Sequence, residues 1–183
     1  MNNSRDKFCS IVRKRSEENA KSVHALNEIE AYGQIMSVLR QELDSMVRCI
    51  YILNEQNISD QEHLIEQTIL GERWRNRNNK IITDREMVNI SNNFQGWTKY
   101  VYDFGCAFIH LSDYHNYDSE DPFESLEEVD KSKIKYFMNW HHGYDLNQDL
   151  TFESIKNKLV NVFEKVNSNL ECYIINIENG ERI

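Results

Sequence analysis

Between positions 102 and 117 the chain reads YDFGCAFIHLSDYHNY. An apolar run gives way, within eight positions, to two histidines, a serine, an aspartate and two tyrosines. On a helix Asp103, His110 and Tyr114 recur at spacings of 7 and 4 and share a face beside the apolar one. An imidazole on such a border is partly desolvated yet reachable, which suits a general acid or base near neutral pH. The plainer reading is a border histidine satisfied by one hydrogen bond. His115 is five residues on, about 500° of helical turn, so the two rings do not share a face as ligands four apart would. Asp113, His115 and the pair His141–His142, placed before the helix-stopping Gly143, complete a set that can be drawn around Zn²⁺ or Mn²⁺. No HExxH or Glu-x-x-His pattern supports that set, so no metal and no other cofactor is expected. GxSxG, GxGxxG and GxxxxGK[ST] are also absent, which leaves no signal for a serine nucleophile or a phosphate loop.

A second chemical signal is local charge. The segment GERWRNRNNK, 71–80, concentrates Arg73, Arg75, Arg77 and Lys80 around Trp74 in a chain of formal net charge −9. Arginine forks suit phosphates, and a tryptophan face can stack a base, so these five residues are candidate RNA contacts. The alternative is a solvated loop whose arginines pair with the chain's many carboxylates. Arg13, Lys14 and Arg15 form a smaller basic cluster near the start.

These residues must be held by helices. One proline and six glycines in 183 residues leave little turn chemistry for a sheet protein. Ile29, Tyr32, Met36, Leu39, Leu43, Met46, Ile50 and Leu53 follow spacings of 3, 4, 3, 4, 3, 4 and 3, a heptad-like seam. With Ala20, Val23 and Leu26 it predicts one helix over about 16–55, split or kinked at Gly33, with Asp44 and Arg48 paired on its outer face. SDQE at 59–62, TDRE at 83–86 and Thr151 within LTFESIKNKL from 150 supply start signals, as does DPFE at 121–124, with Asp121 capping and Pro122 at the first helical position. Trp97, Val101, Phe104, Phe108 and Leu111 are one apolar face of a further helix, and Phe152, Ile155, Leu159, Val162, Phe163 and Val166 of the last. The expectation is an all-α chain: a single, mostly antiparallel bundle of about six helices spanning residues 1–183. Residues 1–15 are expected to be mobile and 170–183 an irregular tail with a short strand near 172–177. Part of the long seam is expected to be shared in a homodimer.

The acidic balance argues against nonspecific coating of DNA or anionic membrane. No apolar run approaches the roughly 20 residues of a spanning helix. The start, MNNSRDKFCSIVRKRSEEN, lacks the apolar core of a signal peptide. Cys9, Cys49, Cys106 and Cys172 form no CxxC pair, and Cys49 and Cys106 sit among apolar neighbours as small core residues. A reducing cytoplasm is the expected setting.

A long early helix bearing LRQELDSMVRCIYIL and a later one bearing YVYDFGCAFIHLSDYH together resemble the HEPN superfamily, over about residues 20–165. These are small all-α domains, commonly dimeric, found in toxin–antitoxin, CRISPR-associated and other defence settings. Many are metal-independent ribonucleases whose motif is an arginine followed, after four to six residues, by a histidine near the end of a late helix. The resemblance implies that His110 is the catalytic histidine. The motif arginine is missing: Gly105, Phe104 and Asp103 stand where it would be. Arg48, or next Arg40, from the early helix is the expected replacement, with Asp113, Tyr114 and His115 around the site. The implied function is RNA association or cleavage. The alternative is a non-catalytic helical module that binds a protein partner.

Overall fold

The computed structural model describes residues 3–183, the Asn3 side chain excepted; residues 1 and 2, part of the start expected to be mobile, lie outside the described residues. The described residues form eight α-helices and no strand: α1 (Asn3–Glu28), α2 (Tyr32–Asn54), α3 (Ile58–Ile69), α4 (Asp84–Gln95), α5 (Thr98–Ile109), α6 (Glu128–His142), α7 (Phe152–Lys156) and α8 (Leu159–Glu178), with a 3-10 turn at Asp113–Asn116. The all-α expectation holds, with two more helices than the six read from the sequence.

Helix α2 is the centre, packed against α1, α3, α4, α5 and α8. Its seam explains this. Tyr32, Met36, Leu39, Leu43, Met46, Ile50 and Leu53 are all buried within the chain, whereas Ile29 is 72% exposed. The seam is therefore spent on the chain's own core. The break between α1 and α2 falls at Glu30, not at Gly33. Glu30 takes a left-handed φ of 57°, and Ala31 N–H reaches Leu26 O at 2.9 Å in a Schellman-type stop. Gly33 instead lies inside α2, where a Cβ would stand 3.5 Å from both Phe108 and Tyr117.

The two ends of the chain depart from expectation. Residues 3–15 belong to α1, with Phe8, Cys9 and Val12 buried and Arg13 gripping Glu171 through Nε at 3.0 and 3.1 Å. Residues 172–177 are helical, not a strand. Val166, Leu170, Ile174 and Ile177 recur at 4, 4 and 3 and are buried, so tertiary packing of one helical face overrides the β-branched composition. The tail then folds back, with Ile183 N–H donating to Leu53 O at 3.2 Å.

The start signals divide. Thr83 caps α4 by accepting from Glu86 N–H at 3.2 Å, and Thr151 caps α7 in a reciprocal box with Ser154. The other two are displaced. α3 is flanked by Asn57 and begins before Ser59, without a side-chain cap. At 121–124 there is a turn instead of a helix start, because Asp121 uses one carboxylate oxygen on Phe123 N–H (2.8 Å) and the other on Phe152 N–H (3.0 Å), tying that loop to α7.

One buried charge links three helices. Glu42 on α2 is 0% exposed. It accepts from Ser16 Oγ and Asn19 Nδ2 of α1, the latter at 2.8 Å, and from Asn167 Nδ2 of α8 at 3.0 Å. The four cysteines are free thiols, Cys9 and Cys49 buried and Cys106 half-buried. Among the described residues no helix is long and apolar enough to cross a membrane.

Two substitutions test this core by denaturant unfolding. Leu43→Ala should cost about 2–5 kcal/mol, and a loss under about half a kcal/mol would place Leu43 at the surface. Glu42→Gln keeps the shape but turns an amide NH₂ toward donors, so about 1–3 kcal/mol should be lost. Unchanged stability would mean that the Ser16–Asn19–Asn167 cradle does not hold a carboxylate.

Candidate functional site

Helix α5 ends one residue before His110. The His110 N–H still reaches Cys106 O at 3.2 Å, but its backbone is extended. Ser112 enforces the stop. Its hydroxyl donates to the free Ala107 carbonyl at 2.7 Å and accepts from Tyr114 N–H at 3.3 Å, closing one helix and capping the 3-10 turn. Two expectations fail here for the same reason. Leu111 lies beyond the helix and is 98% exposed instead of in the core. Tyr114 is not on the α5 face of His110, and Asp103 spends its charge on Lys99 at 2.6 Å.

His110, Asp113, Tyr114 and His115 are thus near one another in a surface loop. His115 Nε2 lies 3.2 Å from His110 O, and its ring meets Phe108 edge-on at 5.7 Å. The imidazole of His110 is exposed and makes no hydrogen bond, ion pair or ring contact among the described residues. Tyr114 packs on Phe104 and Phe108 at 5.5 and 5.9 Å, with its phenol 3.3 Å from Ser125 Oγ. Much of the aromatic content of 102–117 is structural. Phe104, Phe108, Tyr114 and Tyr117 stack with Phe123 and Phe152 and hold the 110–127 loop to α7.

The arginines expected beside His110 are at the other end of the α2–α5 contact. Ser37 Oγ donates to Phe108 O at 3.3 Å, while a Cβ on Gly105 would lie 2.9 Å from Arg40 Cβ. Later residues of α2 therefore meet earlier residues of α5, and the helices run antiparallel. Arg40 is buried, with its guanidinium 4.2 Å from the Tyr102 ring centre and 3.4 Å from Asp84 Oδ2. Arg48 lies eight residues further along α2, about 12 Å at 1.5 Å per residue. It bonds Asp44, approaches Asp84 Oδ1 at 3.6 Å and sits 4.9 Å over the Trp74 ring. The structure brings Arg40 and Arg48 together and sets both apart from the His110 loop.

The basic segment forms a hairpin beside them, with Arg75 bridging Ile81 and Ile82 N–H donating to Trp74 O at 3.0 Å. Its asparagines make the turn: Asn76 Oδ1 accepts from Asn78 and Lys80 N–H, both at 3.0 Å. Alternation along this short extended segment points Trp74 inward and its neighbours outward. Trp74 is 2% exposed, with Nε1 donating to Thr68 Oγ1 at 2.8 Å, so it is a core residue and no stacking platform for a base. Arg77 is tied to Asp60 at 3.1 Å and Lys80 stands 4.0 Å from Glu86, while Arg75 donates to Asn79 O at 2.9 Å.

What the hairpin and α4 enclose was not singled out from the sequence. A cleft of about 400 Å³ is lined by Arg48, Glu72, Arg73, Trp74, Ile82, Thr83, Asp84, Arg85 and Tyr102. A second cleft of about 490 Å³ adjoins it through Glu72 and Arg73 and is lined by His63, Arg75 and Arg77. Arg73 and Arg85 are exposed and have no carboxylate partner among the described residues. With Arg40 behind the wall, four guanidiniums stand against three carboxylates, Asp44, Glu72 and Asp84. Burial raises the Tyr102 phenol above its usual range, with Arg40 opposing. Only the position of Arg85 in TDREMV, in the first turn of a capped helix, could have flagged it beforehand.

Among the described residues no three of His, Cys, Asp and Glu are grouped to hold a metal ion, so the His110–Asp113–His115 set with His141–His142 does not converge. Gly143 does stop α6 with a left-handed φ of 63°, and His141 stacks on Phe137 at 6.4 Å. Comparison with protein-family models, curated proteins and solved structures returned no match for this chain.

Burial first, then His141, Lys158 and Lys165, depress the His142 imidazole to about 4 from an ordinary 6.5. The folded state therefore keeps His142 neutral where the unfolded chain already binds a proton. Its contribution is present above pH 6.5 and is lost as pH falls toward 4. In paired denaturant titrations, His142→Gln should lose less stability than the parent over that window. Parallel curves would show that His142 titrates freely in the fold.

Proposed function

We propose that this chain is an RNA-associated helical protein, HEPN-like in the arrangement of its early and late helices, that holds single-stranded RNA by its phosphates along the cleft between the 71–82 hairpin and α4. One observation carries this reading: an acidic chain collects Arg48, Arg73 and Arg85, backed by Arg40, around one open cleft and leaves Arg73 and Arg85 unpaired. Guanidinium forks bind phosphate oxygens two at a time, and a local positive surplus attracts a polyanion whatever the net charge elsewhere. With Trp74 buried, nothing in this cleft reads base identity, so binding there is governed by charge and indifferent to sequence.

Cleavage is a separate matter. A metal-independent mechanism needs a cation at the scissile phosphate beside the general acid or base. His110 has no such companion in its own loop, Arg40 is committed to Asp84 and Tyr102, and Arg48 to Asp44 and Asp84. The isolated chain is accordingly proposed to bind RNA without cutting it.

Titration with a single-stranded RNA at several salt concentrations tests both parts. Arg73→Ala with Arg85→Ala should weaken binding and lower the log–log salt slope by about 0.7 for each lost phosphate contact. Arg77→Ala should leave the slope alone, since its charge already serves Asp60. Equal affinity and slope in parent and double variant would remove the cleft from the site. A cleavage activity that disappears in a folded His110→Ala variant would return catalysis to the His110 loop.

A further inference from the structure

The cleft described above lacks an exposed aromatic ring, yet the chain displays one elsewhere. On α6, Val129, Lys133, Tyr136 and Trp140 recur at 4, 3 and 4 and share a helix face. That face points to solvent: Val129, Tyr136 and Trp140 are exposed, Trp140 at 72%. The inner face is separately satisfied, with Met138 buried and Phe137 packed on Tyr100 at 6.2 Å. The outer rings are therefore not a by-product of core packing. Tyr136 and Trp140 stack on each other, centroids 6.3 Å apart and planes 21° from parallel, which presents an extended π surface. Lys133 shares the face of the rings one turn before Tyr136 and has no carboxylate partner among the described residues, while the acidic Glu128 and Asp130 are confined to the first turn.

Resting on the RNA reading, we infer that the Tyr136–Trp140 stack on α6 is a second nucleic-acid site, on which unpaired bases of a single strand stack while Lys133 holds an adjoining phosphate. Both halves of the recognition chemistry are present: π faces that accept any base, and in Lys133 a cation one helical turn from Tyr136 for the adjoining backbone. An apolar stripe meant for another helix would be apolar throughout; here Lys133 interrupts it between Val129 and the rings, a cation that complements a polyanion and opposes a basic partner. The two sites divide the work, the arginine cleft taking phosphates and α6 taking bases.

The tryptophans provide the readout. Trp97 is buried and Trp140 is open, while Trp74 is buried but lines the arginine cleft, so the emission change that reports on Trp140 is the part removed by Trp140→Phe. The probe is a single-stranded RNA of about ten nucleotides, a length typical of such grooves, beside an abasic strand of equal length, with binding measured independently by anisotropy. The expected result is quenching by the base-bearing strand, none by the abasic strand although it binds, and affinity about tenfold or more weaker in Tyr136→Ala/Trp140→Ala. Binding without quenching, or with affinity unchanged in the double variant, would overturn the stacking site and leave the arginine cleft standing. Absence of any RNA binding would overturn both. A Trp140 shielded from acrylamide in the free protein would show the stripe covered by a second copy of the chain and would likewise overturn the inference.

Discussion

Glu42 constrains the rest of the molecule. A carboxylate removed from water is costly unless its lone pairs are met, and here Ser16, Asn19 and Asn167 meet them from two neighbouring helices. Apolar packing alone would let α2 turn by a few degrees in either direction at small cost. Directional bonds to a buried charge do not, so the cradle fixes which face of α2 looks toward α1 and α8. At about 100° per residue, Arg40 and Arg48 then lie roughly 160° and 120° around the helix from Glu42. They are obliged to face α4, α5 and the hairpin. The position of the arginine cleft follows from a polar contact on the opposite side of the same helix.

The same geometry separates the two halves of the site that the sequence suggests. Gly105 lets α5 approach Arg40 at a distance no side chain would allow, which sets the register of an antiparallel pair. In that register the start of α2 meets the end of α5, and the end of α2 meets the start of α4. His110 belongs to the first meeting and Arg48 to the second. Ser112 completes the separation by ending α5 early and turning His110 into a loop residue. What remains at that end is an aromatic clamp, and what gathers at the other is unpaired positive charge.

Much of the fold was legible because helices announce themselves in period and caps. The α2 seam, Thr83, Thr151 and Gly143 each behaved as their residue types dictate. Misreadings arose where local signals competed with tertiary ones. Gly33 looked like a break, but it is needed for close packing against Phe108, while the real break uses Glu30, a residue type rarely left-handed. Residues 172–177 looked β-branched, although the spacing of Leu170, Ile174 and Ile177 already carried the helical period. Asp121 had every mark of a cap, and it caps a turn and a different helix at once. At the candidate site, Trp74 was misjudged for a comparable reason. Flanking arginines suggested an exposed ring, whereas alternation along a short extended segment turns it inward. Tyr136 and Trp140, four apart among lysines, had the signature that Trp74 only imitated.

The central claim is that RNA lies along the cleft between hairpin and α4 and away from the His110 loop. Hydrogen–deuterium exchange with and without bound single-stranded RNA tests it in one experiment, since both regions contain exposed backbone that exchanges readily. The account predicts slowed exchange over 71–86, with residues 110–117 unchanged. Protection confined to 110–117, with 71–86 unaffected, would contradict it and place the RNA at the histidines.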